Sequence, residues 1–134
     1  MKASFQTKET ILYTGLEDRK FPKFRVGDNL DVSLIVKEGD KERVQIFNGD
    51  VISMHNNGIS STFTVRTIAS NGIGVEKILP YYSPIIGKIK IIKRGIVRRA
   101  KLFYVRDRIG KAAKIKEKVL TGAQKANLQS TKAK

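Results

Sequence analysis

The chain has no cysteine, no tryptophan, a single histidine and three prolines, and no stretch in it approaches the ~18 to 20 apolar residues of a membrane span. Without cysteine there is neither a disulfide framework nor a thiolate metal site, and one histidine leaves the usual zinc and acid-base constellations unbuilt. Charges are scattered through Met1 to Lys20 with no apolar run of signal-peptide length. A soluble, intracellular protein with no membrane partner, metal or cofactor is therefore expected. Acidic residues are also scarce, 12 against 27 Lys and Arg, which leaves a net charge of +15. That excess is far beyond what solubility requires and implies a polyanionic partner.

What is present suffices for one small core. In 134 residues, 40% of them hydrophobic, a compact domain of about 80 to 110 residues plus tails is the natural expectation. Little material remains for a large enclosed pocket, so no small-molecule substrate is expected. The charge is unevenly placed. Residues 1–87 hold 11 basic and 10 acidic side chains, whereas residues 88–134 hold 16 basic and 2 acidic. A near-neutral body thus feeds into a cationic arm, where a merely solvated face would mix its signs to limit self-repulsion.

The N-terminal extension, residues 1–23, is weakly patterned. Ile11, Leu12 and Leu16 fit one apolar stripe of a short helix, with Ser4 or Thr7 as its cap. From Phe24 the pattern turns strand-like. After a turn at Phe24-Arg25-Val26-Gly27-Asp28, Leu30, Val32, Leu34 and Val36 alternate with polar residues, the period of a strand with one buried face. Glu38-Gly39-Asp40-Lys41 signals a hairpin, and Val44 and Ile46 then alternate with Arg43 and Gln45. Gly49 suggests a bulge or bend within that strand. His55-Asn56-Asn57-Gly58 and Asn71-Gly72-Ile73-Gly74 turn the chain around an extended Thr62–Arg66, and Val75–Leu79 and Ile85–Ile92 supply further strands.

Five or six short strands, with turns about every ten residues and hardly any helix signal, describe a mainly β fold. The expectation is an SH3-like barrel over residues 24–108, with an OB-fold as the second choice. Leu30, Val32, Leu34, Val44, Ile46, Val65, Ile89 and Ile91 are its predicted interior. Residues 109–134 read as a basic C-terminal tail, too poor in apolar groups to order alone.

The densest chemistry runs from Lys88 to Arg108. As two strands joined at Arg94-Gly95, it would anchor by its apolar residues and project its cations as a ridge. Such a ridge suits folded RNA, whose closely spaced phosphates call for several cations fixed in register. Phe103 and Tyr104 lie among those cations. They are expected as packing residues beneath the ridge, with stacking on an unpaired base as the alternative. Gly110-Lys111-Ala112-Ala113-Lys114-Ile115-Lys116 sets small residues between lysines, which lets backbone approach a sugar-phosphate surface. Catalysis finds no footing, since His55 stands alone in an Asn-rich turn and Gly72-Ile73-Gly74 lacks the third glycine of a dinucleotide fingerprint.

The run Lys93 to Arg108, followed by Gly110 to Lys118, resembles the C-terminal signature of the bacterial-type large-subunit ribosomal protein L-nineteen family. The likeness extends back through Phe24-Arg25-Val26-Gly27-Asp28, Lys41 to Gly49, Gly58-Ile59, Thr62 to Arg66 and Gly72 to Pro80. It covers about residues 24–118; the first 23 residues are idiosyncratic, Tyr81-Tyr82 fills a variable spot before Ser83-Pro84, and the segment past Lys118 shows no family pattern. The resemblance implies an SH3-like barrel bound to large-subunit ribosomal RNA near the subunit interface. It also implies ribosomal proteins L-three and L-fourteen as neighbours and an intersubunit bridge to small-subunit RNA, without catalysis. The RNA-contacting segment carries over onto Lys93, Arg94, Arg98, Arg99, Lys101, Arg106, Arg108, Lys111, Lys114 and Lys116. Composition alone equally allows a free nucleic-acid-binding architectural or regulatory protein, for which the same arm would serve. A barrel that binds proteins through its edge strands would not need the arm.

Overall fold

The structure, a computed structural model, describes residues 19–119. The stripe at Ile11 to Leu16 and the segment from residue 120 onward lie outside the described residues. Five strands follow in chain order: β1 (Asn29–Glu38), β2 (Lys41–His55), β3 (Thr62–Ile68), β4 (Gly74–Pro80) and β5 (Ile86–Lys93). They form one antiparallel sheet in the order β4-β3-β2-β1-β5. The helical elements among the described residues are three short 3-10 turns, Gly58–Ser60, Phe103–Asp107 and Gly110–Ala113. The fold is mainly β, as expected. β4 and β5 are the two edges and no ladder joins them, so the barrel is not closed by strand pairing.

One face of this sheet carries the main core. Leu30, Val32 and Leu34 of β1 meet Phe47 and Val51 of β2, Phe63 and Val65 of β3, Leu79 of β4, and Ile86 and Ile89 of β5. Phe24 and Tyr81 complete it, with the Phe24 and Phe63 rings edge-to-face at 5.1 Å. The two-residue turn at Gly39-Asp40 pairs Glu38 with Lys41 and sets the β1–β2 register. Two predicted interior residues are misplaced. Val44 and Ile46 are each 65% exposed, and Ile91 is only partly buried. The register explains the first two. Val32 lies opposite Phe47, so β2 turns its odd-numbered residues inward, while Val44 and Ile46 stand opposite Ile35 and Ser33 on the outer face. Phe47 and Val51 decide the phase because they have more apolar surface to hide than the shorter run before them.

Gly49 does not break β2, which runs on through fifteen residues. The bulge comes later, where the register with β3 slips between Val51 and Ser53. Gly49 instead permits a close approach: a Cβ there would lie 2.8 Å from Cγ1 of Val65 and press on the backbone of Arg66. Val51 and Ile52 are both fully buried. Adjacent strand residues point to opposite faces, so Ile52 cannot belong to the main core. It joins Leu102, Val105 and Ala113 in a second cluster on the outer face of the sheet.

Candidate nucleic-acid interface

The second cluster determines what the cationic segment becomes. The expected pair of strands meeting at Arg94-Gly95 does not form, because β5 ends at Lys93 and the chain leaves the sheet there. Asp28 holds this exit point. Its buried carboxylate accepts from the Arg25 N–H at 2.9 Å and from the Gly95 N–H at 3.2 Å, tying the Phe24–Asp28 turn to the start of the arm. Gly95 passes so close to the Gly27 carbonyl that a side chain on it would collide, and Gly27 itself needs a φ of +93°. Farther on, the Leu102 N–H donates to the Ile52 carbonyl at 2.8 Å, which hangs the 3-10 turn Phe103–Asp107 from the sheet.

The chain then returns on itself. Ile96 donates to Lys116 at 2.8 Å, Lys118 donates to Arg94 at 2.7 Å, and Gly95 bridges to Glu117. Residues 94–118 are thus a loop closed at its base by backbone hydrogen bonds. Through residue 118 this differs from the unordered tail expected from composition. Ala113 and Ile115 contribute apolar surface to a cluster whose other half, Ile52, lies far away in sequence.

Nine of the ten predicted RNA-contacting residues are exposed, and Arg94 is half-buried. The fold gathers them into distinct groups. Arg98, Arg99, Arg108, Lys114 and Lys116 line an open basin of about 600 Å³ over a floor that includes Val97, Leu102 and Ile115, and no acidic residue lines it. Lys93 and Arg94 lie around a second depression shared with Asp50 and Glu117, and Lys93 pairs with Glu117 at 3.3 Å. Lys101 and Arg106 stand against the Phe103 ring, at 5.8 and 4.5 Å from its centroid. Lys111 is exposed in the last 3-10 turn.

The aromatic pair corrects the expectation of two rings hidden beneath a ridge. Phe103 is 42% exposed. Tyr104 is half-buried against the second cluster, and the guanidinium carbons of Arg108 and Arg99 lie 4.7 and 5.3 Å from its centroid. Rings placed this way hold cations by their π faces. They limit the rotamers open to Arg99 and Arg108 and so order the basin's charges before any ligand arrives.

One residue of this site had no signal in the sequence. Glu76 of β4 lies opposite Arg66 of β3 and accepts from its Nη1 at 2.8 Å. The same carboxylate accepts two bonds from Arg106, from Nε at 3.0 Å and from Nη2 at 2.8 Å. The Arg106 hydrogen bonds hold the Glu76 carboxyl below its usual range, partial burial opposes them, and Arg66 adds to the lowering. A carboxyl lowered in the folded state contributes stability that is fully present above its unfolded value and is lost as pH falls through the folded one. Thermal melts are therefore expected to show wild type ahead of Glu76→Gln at pH 7, the gap closing below about pH 4.3. A gap that stays constant down to pH 3 would contradict this.

Comparison with known proteins matches most of the chain, from residue 6 rather than from residue 24. A family model described as Ribosomal protein L19 matches residues 6–118. A protein of Thermosipho africanus named large ribosomal subunit protein bL19 is 60% identical over 97 residues, covering 72% of this chain and 84% of that protein. Proteins of the same name from Helicobacter pylori strain G27 and Clostridium perfringens are 50% identical over 104 residues and 55% identical over 95. They cover 78% and 71% of this chain, and 88% and 82% of their own lengths.

Proposed function

The chain belongs to the ribosomal protein L19 family, and from that premise we propose that it binds large-subunit ribosomal RNA through the closed loop of residues 94–118. It is a structural constituent of the large ribosomal subunit in the cytoplasm, in a family not known to be enzymatic. The observation that carries the RNA reading is the acid-free basin of Arg98, Arg99, Arg108, Lys114 and Lys116. Five cations around one concavity repel one another unless a polyanion fills it, and a folded RNA brings phosphates close enough to meet several at once. Lys93, Arg94, Lys101 and Lys111 extend the RNA-contacting segment on either side, and Arg106 belongs to it as the residue that ties it to Glu76.

The proposal includes the finer assignments that the family resemblance supports. These are a position near the subunit interface beside ribosomal proteins L-three and L-fourteen, and a contribution to a bridge with small-subunit RNA. In this organisation residues 1–23 are an extension, residues 24–108 the SH3-like body whose end opens the closed loop at residue 94, and residues 109–134 the basic tail, which returns to close that loop through residue 118. Sedimentation of cell lysate through moderate salt tests the assignment. The tagged chain is expected to travel with free large subunits, and the Arg98→Ala/Arg99→Ala double variant to be depleted from them. Wild-type chain that leaves the large subunit and follows the nucleoid would favour the alternative, a free architectural or regulatory protein.

A further inference from the structure

We propose that Glu76, an acidic residue, strengthens binding to a polyanion, because it latches the RNA-reading loop to the sheet through Arg106. This rests on the RNA reading above and names a positioning residue for it.

Three observations carry the proposal. Arg106 sends both a guanidinium edge nitrogen and its Nε into one carboxylate, a two-bond grip that fixes the plane of the group and takes two of its five N–H donors. Glu76 is in turn fixed from the sheet side by Arg66, with side-chain exposures of only 15% for Arg66 and 22% for Glu76. Gly74 leaves the space that the Arg66 guanidinium fills, since a side chain there would overlap it. Arg66 Nε has no partner among the described residues, so the hold of Arg66 on the carboxylate is the single Nη1 bond.

The latch acts on the loop through the 3-10 turn. Arg106 lies in Phe103–Asp107 and covers the Phe103 ring, while the neighbouring Tyr104 holds Arg99 and Arg108 at the basin. Pinning Arg106 to β4 therefore fixes the turn that carries Tyr104. On this account Arg106 is a strut, and the phosphates fall to the basin's cations.

Simple electrostatics predicts the opposite sign, which makes the proposal easy to test. Removing a negative charge from a cationic protein should tighten its grip on RNA, and if Glu76 merely competed with phosphate for Arg106, its loss would tighten it further. The latch predicts that Glu76→Gln binds deproteinised large-subunit ribosomal RNA about fivefold more weakly than wild type at 0.1 M salt. Arg106→Gln should lose about as much, the double variant no more than either single one, and Arg106→Lys should recover part of the loss. Phe63→Leu, which weakens the main core without touching the loop, controls for stability and should bind as wild type. All variants are compared at a temperature where circular dichroism shows them folded. If Glu76→Gln does not fold, the two Arg106 variants and the Phe63 control carry the test, and an Arg106→Gln variant that binds as wild type overturns the latch. Equal or tighter binding by Glu76→Gln overturns it as well. Wild-type chain that shows no salt-dependent binding to this RNA would instead remove the RNA reading itself.

Discussion

Changing both Arg98 and Arg99 to Ala is expected to weaken binding to large-subunit ribosomal RNA by roughly 10- to 100-fold at 0.1 M salt, and to make the affinity visibly less sensitive to salt. The reason lies in counterion release. Each phosphate neutralised by a cation frees condensed counterion, so the logarithm of affinity falls with the logarithm of salt by about 0.7 to 0.9 per contact. The basin's cations together with one neighbour make about six contacts, which gives a slope of about 4 to 5 and a several-hundred-fold loss between about 50 and 200 mM. Each arginine removed should take roughly one unit from that slope. Arg99 lies against Tyr104, a contact for which Arg98 has no counterpart among the described residues, and its loss should cost more than that of Arg98. His55 is exposed at the end of β2, and its change to Ala should alter neither affinity nor slope. An unchanged slope in the double variant would mean that the basin's cations are only a solvated face.

Much of this site could be read from the chain before folding, and the parts that could not share one cause. Strands and turns follow local rules, so the period-two runs through Leu30, Val32 and Leu34 and through Phe63 and Val65 mark their elements directly. The cations are likewise visible, because a charge imbalance needs no structure to be counted. Val44 and Ile46 stand outside the expected interior because alternation gives a strand's period but not which phase faces inward. Phe47 and Val51, farther along, set that. The docked loop is hidden from composition because its apolar residues are too few for a core of their own and borrow one from Ile52. The adjacency of Val51 and Ile52 does not by itself mark a covered outer face, since Ile46 and Phe47 are adjacent in the same strand and Ile46 is exposed. Nothing announced Glu76 either. An acid thirty residues from its arginine, on a strand that reads as ordinary, acquires its role only when β4 and the Phe103–Asp107 turn meet.

The second large effect is expected at Leu102, and it separates the loop from the sheet. Leu102 is almost fully buried in the second cluster, and its N–H is bonded to Ile52. Leu102→Ala removes buried methyl groups from a small cluster that cannot refill the space, a change that costs about 2 to 5 kcal/mol in well-packed sites. Where that cost is felt depends on which unit Leu102 stabilises. The main core of Leu30, Val32, Phe63 and Val65 lies on the other face of the sheet and does not include it, so the opening is local. Amide exchange of Ile96, Leu102, Val105 and Lys118 should quicken by at least about 30-fold, the factor that 2 kcal/mol sets, while amides of β1, β2 and β3 hold their protection. Affinity for ribosomal RNA should fall with the loop, although no charge has been removed and the net charge of +15 is unchanged. Phe63→Ala is the contrasting case. It should cost about 3 to 5 kcal/mol and lower protection in the sheet and loop together, because the loop has no support once the sheet opens. If Leu102→Ala instead lowers protection uniformly, the two clusters form one cooperative unit and the loop is not separately hinged on Ile52. If it leaves RNA affinity intact, a docked loop is not what binds, and the cations work as an unstructured arm.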